Sequence, residues 1–163
     1  MQARIFLFLL FFLTFGTSCN NGNDEDVLRR LSKWDAMIDT APGKVSDSLK
    51  LIDYNSLSRS NKAYYGLLKI ITDDKTFVNF TSDSLINTVS DYYRLHDKKN
   101  RNYIRSLAYQ GIVRTRMGIK DSTVFEPLKE ADRLFNSMVS PDPSLGYMIN
   151  YFLGNINYNN RNY

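Results

Sequence analysis

Apolar residues recur at the spacing of an α-helix in seven stretches of this 163-residue chain, and no stretch alternates apolar and polar residues as a half-buried strand does. The stretches cover residues 27–38, 45–52, 63–71, 85–96, 104–111, 124–138 and 145–156. Residues that end or turn a helix, Pro42-Gly43, Gly118 and Pro141-Asp142-Pro143, fall between stretches. The pattern therefore predicts an all-α chain of about seven helices, arranged as antiparallel pairs.

Short polar side chains stand near several predicted helix starts. Asp47, Asp83 and Asp121 are each followed by serine, and Thr123 with Glu126 has the spacing of a capping box. Such side chains accept hydrogen bonds from the free N–H groups of a first turn and complement the helix dipole. We expect these residues to cap helices.

A repeat is visible when the third, fifth and seventh stretches are aligned. Each contains a central glycine, Gly66, Gly111 and Gly154, and these are 45 and 43 residues apart. A glycine inside a helix costs roughly 1 kcal/mol relative to alanine. We therefore expect another helix to pack closely against each of the three glycines.

This repeat resembles that of tetratricopeptide-like proteins, with the glycine at the small-residue position of the first helix and Ala131 near the small position of a second helix. The spacing is longer than the usual length of about 34 residues. The resemblance implies that the helix pairs stack into an α-solenoid, each pair burying its apolar face on the next.

The first residues have the features of a secretory signal peptide. Arg4 precedes an apolar run over residues 5–15, which is shorter than the roughly 20 residues that a spanning helix needs. The single cysteine, Cys19, follows small residues, and this placement resembles the lipobox of bacterial lipoproteins, although Gly16 replaces the usual leucine. The resemblance implies a diacylglycerol on the thiol of a mature N-terminal cysteine. The alternatives are ordinary cleavage near Ser18, which leaves a spare thiol, and an uncleaved anchor.

These features predict four segments: a signal peptide over 1–18, the lipidated Cys19 with a polar tether over 19–26, a helical-repeat domain over 27–158 and a disordered tail over 159–163. The acidic part of the tether resembles the surface-export signal of some Gram-negative lipoproteins, and its alternative is an acidic first turn of a helix. The resemblance implies a place in the bacterial cell envelope, lipid-anchored to a membrane, with the outer membrane preferred.

The seventh stretch has no second helix with which to pair. It is either the solvating cap that a solenoid needs at its end, or residues after Tyr163 are missing. In the membrane-bound regulators that this chain also resembles, such repeats are followed by a membrane helix and a DNA-binding helix-turn-helix.

Common catalytic motifs are missing from the sequence. It contains no G-x-S-x-G elbow, no P-loop, no dinucleotide-binding glycine motif and no H-E-x-x-H. The lone His96 is interpreted as a helix-end histidine, with a catalytic base as the alternative. Adjacent Asp73 and Asp74 are expected to be solvated rather than to form a glycosidase pair. We therefore expect no enzymatic activity, no catalytic or metal-binding residue and no cofactor.

Basic residues are dense in one part of the chain. They are Arg94, Lys98, Lys99, Arg101, Arg105, Arg114 and Arg116. Lys98, Arg101 and Arg105 fall on one helical face, which favours an acidic partner or lipid headgroups, with a merely solvated face as the alternative. Without residues 1–18 the chain has 20 basic and 17 acidic residues, a net charge of +3, so nucleic acid binding is not expected.

The tetratricopeptide-like resemblance also implies a concave binding surface made by the first helix of each pair. The positions that map to it are Arg105, Thr115, Arg116, Tyr151, Asn155 and Tyr158. The alternative is an ordinary exposed surface. If the groove binds a partner, charge reversal at Arg105 and Arg116 is expected to weaken capture without unfolding the chain.

The sequence as a whole predicts a membrane-anchored lipoprotein that serves as a helical-repeat scaffold for protein–protein interaction. One alternative is the extracytoplasmic sensing part of a membrane-bound transcriptional regulator whose later segments are lost. Another is a glycan-binding accessory lipoprotein that uses some of the eleven tyrosines, because tyrosine combines a flat apolar face with a polar tip.

Overall fold

The computed structural model describes residues 21–98 and 100–160, with side chains described for 23–98 and 100–156. Within those ranges the chain is all-α, and the prediction of about seven helices is confirmed. The helices are α1 (Asn21–Asp35), α2 (Pro42–Leu49), α3 (Arg59–Lys75), α4 (Ser84–His96), α5 (Arg101–Arg116), α6 (Ser122–Phe135) and α7 (Pro143–Asn160), and a short 3₁₀ turn covers Tyr54–Ser56. The predicted signal peptide, Cys19 and the last three residues lie outside the described residues.

The apolar stretches of the sequence form the core. Leu31, Leu67, Ile104, Leu128 and Ile149 come from five different helices, and each side chain is fully buried in one hydrophobic cluster. Truncating a buried leucine or isoleucine to alanine typically costs about 2–5 kcal/mol. The apolar residues that give the sequence its helical period are therefore the ones whose burial holds the helices together.

Helices pack in sequence order and also in alternation. From α2 onwards each helix contacts the next one along the chain, and the odd-numbered helices contact one another in succession, α1 with α3, α3 with α5 and α5 with α7. Helix α5 is central, because α3, α4, α6 and α7 all pack on it. Its residues from Tyr103 to Tyr109 are all buried for that reason.

Two of the three repeat glycines lie where another helix approaches closely. A Cβ added at Gly66 would lie 2.8 Å from Val89 Cγ2 of α4, and one added at Gly111 would lie 2.6 Å from Leu128 Cδ1 of α6. The prediction of close packing is confirmed for these two residues. It is wrong for Gly154, because no atom of the described residues, apart from its own helix and chain neighbours, lies within 4 Å of such a Cβ.

The helix starts differ in part from those predicted. Asp121 caps α6 by accepting a hydrogen bond from the Thr123 N–H at 2.9 Å, so the capping box predicted at Thr123 is wrong. Asp83 precedes α4, but its carboxylate accepts from Arg114 Nε at 2.8 Å instead of capping. The cap predicted at Asp47 is also wrong, since α2 begins at Pro42 and Asp47 lies near its end.

The acidic segment before Val27 is helical. Helix α1 begins at Asn21 and has Asp24 in its first turn, where a negative charge is favourable. The acidic first turn that the sequence offers as the alternative to an export signal is therefore present, and the export signal stays a prediction. Among residues 21–98 and 100–160, no helix is both long enough and apolar enough to cross a membrane.

Candidate functional site

The arginines of the basic cluster are paired with acids of the same chain. Each guanidinium lies within 3.1 Å of a carboxylate oxygen, in the pairs Arg94–Asp91, Arg101–Asp142, Arg105–Asp35, Arg114–Asp83 and Arg116–Asp74. Four of these five pairs join different elements of the fold, so four of these arginines link parts of the chain that are distant in sequence. The expected exposed basic face is wrong for Arg105, which is only 5% exposed, because it lies in the part of α5 that the neighbouring helices bury.

Asp35 at the end of α1 is the centre of a polar network that joins three odd-numbered helices. It receives two parallel hydrogen bonds of 2.8 Å from Arg105 of α5 and a third of 2.8 Å from the Tyr64 hydroxyl of α3. Arg101 Nη1 lies 3.6 Å from the same carboxylate. Bidentate arginine–carboxylate pairs of this kind are strong, and they fix the relative orientation of the two side chains.

Both members of the central pair are held in their charged forms. Burial opposes ionisation of Asp35, but the hydrogen bonds and positive charge of Arg105 outweigh it and keep the pKa of that carboxyl below its ordinary value of 3.8. Burial likewise opposes the charge on Arg105, and Asp35 nevertheless raises its pKa. Burial, with the nearby negative charge of Asp35, also raises the pKa of the Tyr64 hydroxyl, which stays a neutral donor.

A cavity of about 690 Å³ lies beside this network. Its walls come from the segment between α1 and α2, the end of α3, the first half of α5 and the first half of α7 with the residues just before it. The polar and aromatic residues among those that line it are Asp39, Lys75, Arg101, Arg105, Tyr109, Asp142, Ser144, Tyr147 and Tyr151.

The charges around the cavity are balanced. Lys75 Nζ lies 2.9 Å from Asp39, and Arg101 Nη2 lies 2.6 Å from Asp142. The third base, Arg105, is paired with Asp35. Each base at the wall therefore has an acidic neighbour.

The hydroxyl of Tyr109, which lines the cavity from α5, makes no hydrogen bond with the part of the chain that the structure describes. Its side chain is only 4% exposed. Burial, with the charge of Asp74 as the next cause, raises the pKa of its hydroxyl, which is therefore neutral at ordinary pH. Among the described residues no buried side-chain oxygen or nitrogen lacks a hydrogen-bond partner, so this unpartnered hydroxyl has access to the space beside it and is a donor available to a ligand in the cavity.

The structure brings some of the predicted groove residues together. Arg105 and Tyr151 line the same cavity. Arg116 lies farther along α5, where its guanidinium contacts Asp74 at 2.8 Å and stands 5.7 Å from the ring centre of Phe152. Of the other three, Thr115 donates to the Gly111 carbonyl at 2.8 Å, Asn155 is exposed on α7, and the Tyr158 side chain lies outside the described residues.

The groove prediction missed Lys75, Tyr109 and the acids Asp35, Asp39 and Asp142. A signal was available for Asp35, which stands four residues after Leu31 and three before Ile38 and so lies on the apolar stripe of its own stretch. A charge on a buried stripe requires an opposite charge elsewhere in the fold.

The other candidate residues have structural roles. His96 ends α4, its Nδ1 lies 2.7 Å from the Tyr92 carbonyl oxygen, and its ring stacks on that of Tyr92, which confirms the helix-end interpretation. The expectation that Asp73 and Asp74 are solvated is wrong, because they pair with Lys69 and Arg116 and are mostly buried. No three His, Cys, Asp or Glu residues among those described are grouped so that they can hold a metal ion.

Comparison of the chain with protein-family models, with curated proteins and with solved structures finds no match. Its function is therefore inferred from its own residues.

Proposed function

We propose that this protein is a lipoprotein of the bacterial cell envelope, in which a tetratricopeptide-like α-solenoid binds a protein partner. A lipid on Cys19 holds it at a membrane. Support for the anchor comes from the sequence, where the apolar run of residues 5–15 and the small residues after it lead directly to the only cysteine.

One observation carries the proposal: the odd-numbered helices pack on one another in succession and leave a cavity on the side that they share. A stack of helix pairs has this order, because the first helix of each pair rests on the first helix of the next. The shared side of the first helices is then a continuous surface suited to a partner.

The surface that we propose for the partner, here called the odd-helix face, comprises the cavity rim and the exposed residues of α7 next to it. Tyr147 and Tyr151 are 74% and 54% exposed, and Asn155 continues the same helix. Tyrosines that are exposed in the free protein are typical of binding surfaces, because they bury a large flat area with little loss of conformational freedom.

Photo-crosslinking in the native host tests this function. A photoreactive phenylalanine analogue at Asn155 is expected to capture one discrete protein. The same analogue at Leu95, which is 71% exposed, lies on the even-numbered helix α4 and does not line the cavity, is the matched control. If both positions capture the same proteins, or if neither captures any, the odd-helix face is not a protein-binding surface.

Surface variants are preferable to the charge reversal at Arg105 that the sequence favoured. Reversal there places two negative charges together in a buried site, and the resulting loss of stability would mask any effect on capture. Tyr151→Ala in the crosslinking strain is expected to weaken capture at Asn155, and unchanged capture contradicts the proposal.

A further inference from the structure

We propose that the cavity beside the Asp35–Arg105 pair binds a neutral sugar of one or two pyranose rings. This inference goes beyond the proposed function, because it requires no protein partner and concerns the cavity rather than the exposed rim as a whole. It depends on four properties of the cavity: its size, its charge balance, its unused hydrogen-bond donors and its aromatic wall.

The size of the cavity suits a compact ligand. A volume of about 690 Å³ lies within the range of small-molecule sites. The lining is confined to the segment between α1 and α2, the end of α3, the part of α5 from Arg101 to Tyr109, and the first half of α7 with the residue just before it. An extended peptide would need a channel that continues along the helices.

The charge balance selects against charged ligands. An anion that entered would approach Lys75 and Arg101 but would also meet Asp39 and Asp142, their partners at 2.9 Å and 2.6 Å. A cation that entered would approach Asp39 and Asp142 but would also meet Lys75 and Arg101. A sugar hydroxyl both donates and accepts hydrogen bonds, so a wall that offers paired donors and acceptors suits it.

Two buried groups have donors to spare. Tyr109 has no hydrogen-bond partner for its hydroxyl in the described part of the chain. Arg105 donates three hydrogen bonds, two to Asp35 and one to Asn102, while a guanidinium has five N–H donors. An acceptor oxygen inside the cavity would be bound by donors on two side chains that are mostly buried and held in place by packing, which lowers the cost of ordering them.

The aromatic wall supplies the apolar contact that a pyranose ring needs. Tyr147 and Tyr151 stand one turn apart on α7, their ring centres are 6.4 Å apart, and their planes differ by 21°. The C–H groups on one side of a pyranose are electropositive, and they pack on the electron-rich face of an aromatic ring.

Titration of the purified full chain with cellobiose, maltose and lactose, followed by calorimetry, tests the proposal. We expect saturable binding of at least one of these disaccharides and weaker binding of glucuronic acid and glucosamine. Tyr147→Ala with Tyr151→Ala is expected to weaken binding by about tenfold or more. Tyr109→Phe, which removes only the hydroxyl, is expected to weaken it by about three- to tenfold.

Tyr54→Ala is the matched control, because Tyr54 is partly exposed but lies before α3 and outside the cavity lining. It is expected to bind as the unchanged chain does, and circular dichroism checks that every variant folds. The proposal is overturned if none of the three disaccharides binds, if binding survives loss of both tyrosines, or if a charged sugar binds best. If no sugar binds while Asn155 still crosslinks a protein, the sugar site fails and the proposed function stands.

Discussion

Alanine substitution at the repeat glycines is expected to have opposite effects at two aligned positions. A Cβ at residue 111 would lie 2.6 Å from both Cγ and Cδ1 of Leu128 and 2.7 Å from the Val124 carbonyl oxygen. The carbonyl oxygen cannot rotate away as a side chain can, so α6 must move. Overpacking of this kind costs about 1–3 kcal/mol. Because alanine regains up to about 1 kcal/mol in helix propensity, we expect Gly111→Ala to lower the free energy of unfolding by about 1–2 kcal/mol.

A Cβ added at Gly154 would have no atom of the described residues outside its own helical turn within 4 Å. Only the gain in helix propensity remains, so Gly154→Ala is expected to raise the free energy of unfolding by about 0.5–1 kcal/mol. At Gly66 the nearest atom is a methyl group of Val89 at 2.8 Å. A β-branched side chain is stiff but can shift slightly, so the effect there is expected to lie between the other two.

Urea unfolding followed by circular dichroism measures all three variants under one set of conditions. The expected order of midpoints, from highest to lowest, is Gly154→Ala, the unchanged chain, Gly66→Ala and Gly111→Ala. The slope of each transition checks that the surface exposed on unfolding is unchanged. If Gly111→Ala is as stable as Gly154→Ala, then α6 does not pack on Gly111 as described, and the reasoning from the repeat fails.

Three further predictions concern the polar contacts. Asp35→Asn removes one partner of a buried ion pair and is expected to cost about 3 kcal/mol in urea unfolding, and adding Arg105→Met to the same chain is expected to recover part of that loss. Folding lowers the pKa of Asp35, so the ionised carboxylate contributes its full stabilisation of the folded chain above pH 3.8. That contribution is lost as the pH falls through the lower pKa of the folded state. The difference in unfolding free energy between the unchanged chain and Asp35→Asn should therefore shrink in acid. Asn61→Ala removes hydrogen bonds of 3.0 Å and 3.1 Å to Asp24 and is expected to lower the free energy of unfolding by about 1–2 kcal/mol. Hydrogen exchange of the backbone amides in α1 is expected to become faster. Unchanged exchange would mean that this contact does not hold the start of the helix.

The helices were predictable because local pattern and burial agree in this chain. Leu67, Ile104 and Leu128 stand at helical spacing within their stretches, and each is fully buried where its helix meets another. Gly118, with a φ of 79° in the left-handed region that glycine adopts readily, stands just after the end of α5, where the sequence predicts that a helix ends or turns. The helical period predicts the fold here because the apolar residues that define the period are the same residues whose burial stabilises it.

The polar network was not predictable in the same way. Asp35 and Arg105 are 70 residues apart. A cluster of positive charges in a sequence does not show which members have an acidic partner after folding. The sequence therefore predicts a surface position for Arg105, although the nearby Ile104 and Leu107 belong to the buried stripe.

The third glycine and the cavity were missed because both depend on what packs beside α7. Alignment gives Gly154 the same position as Gly111, but packing against a glycine requires a helix opposite it. The cavity collects residues from four separate segments, such as Lys75, Tyr109 and Asp142, and no local pattern joins them.

The intact mass of the protein extracted from the membranes of its native host tests the central claim most directly, since the proposed function requires a chain held at a membrane. The account predicts a chain that begins at Cys19 and carries the added mass of a diacylglycerol on its thiol. An unmodified Cys19, or a chain that retains residues 1–18, would contradict it.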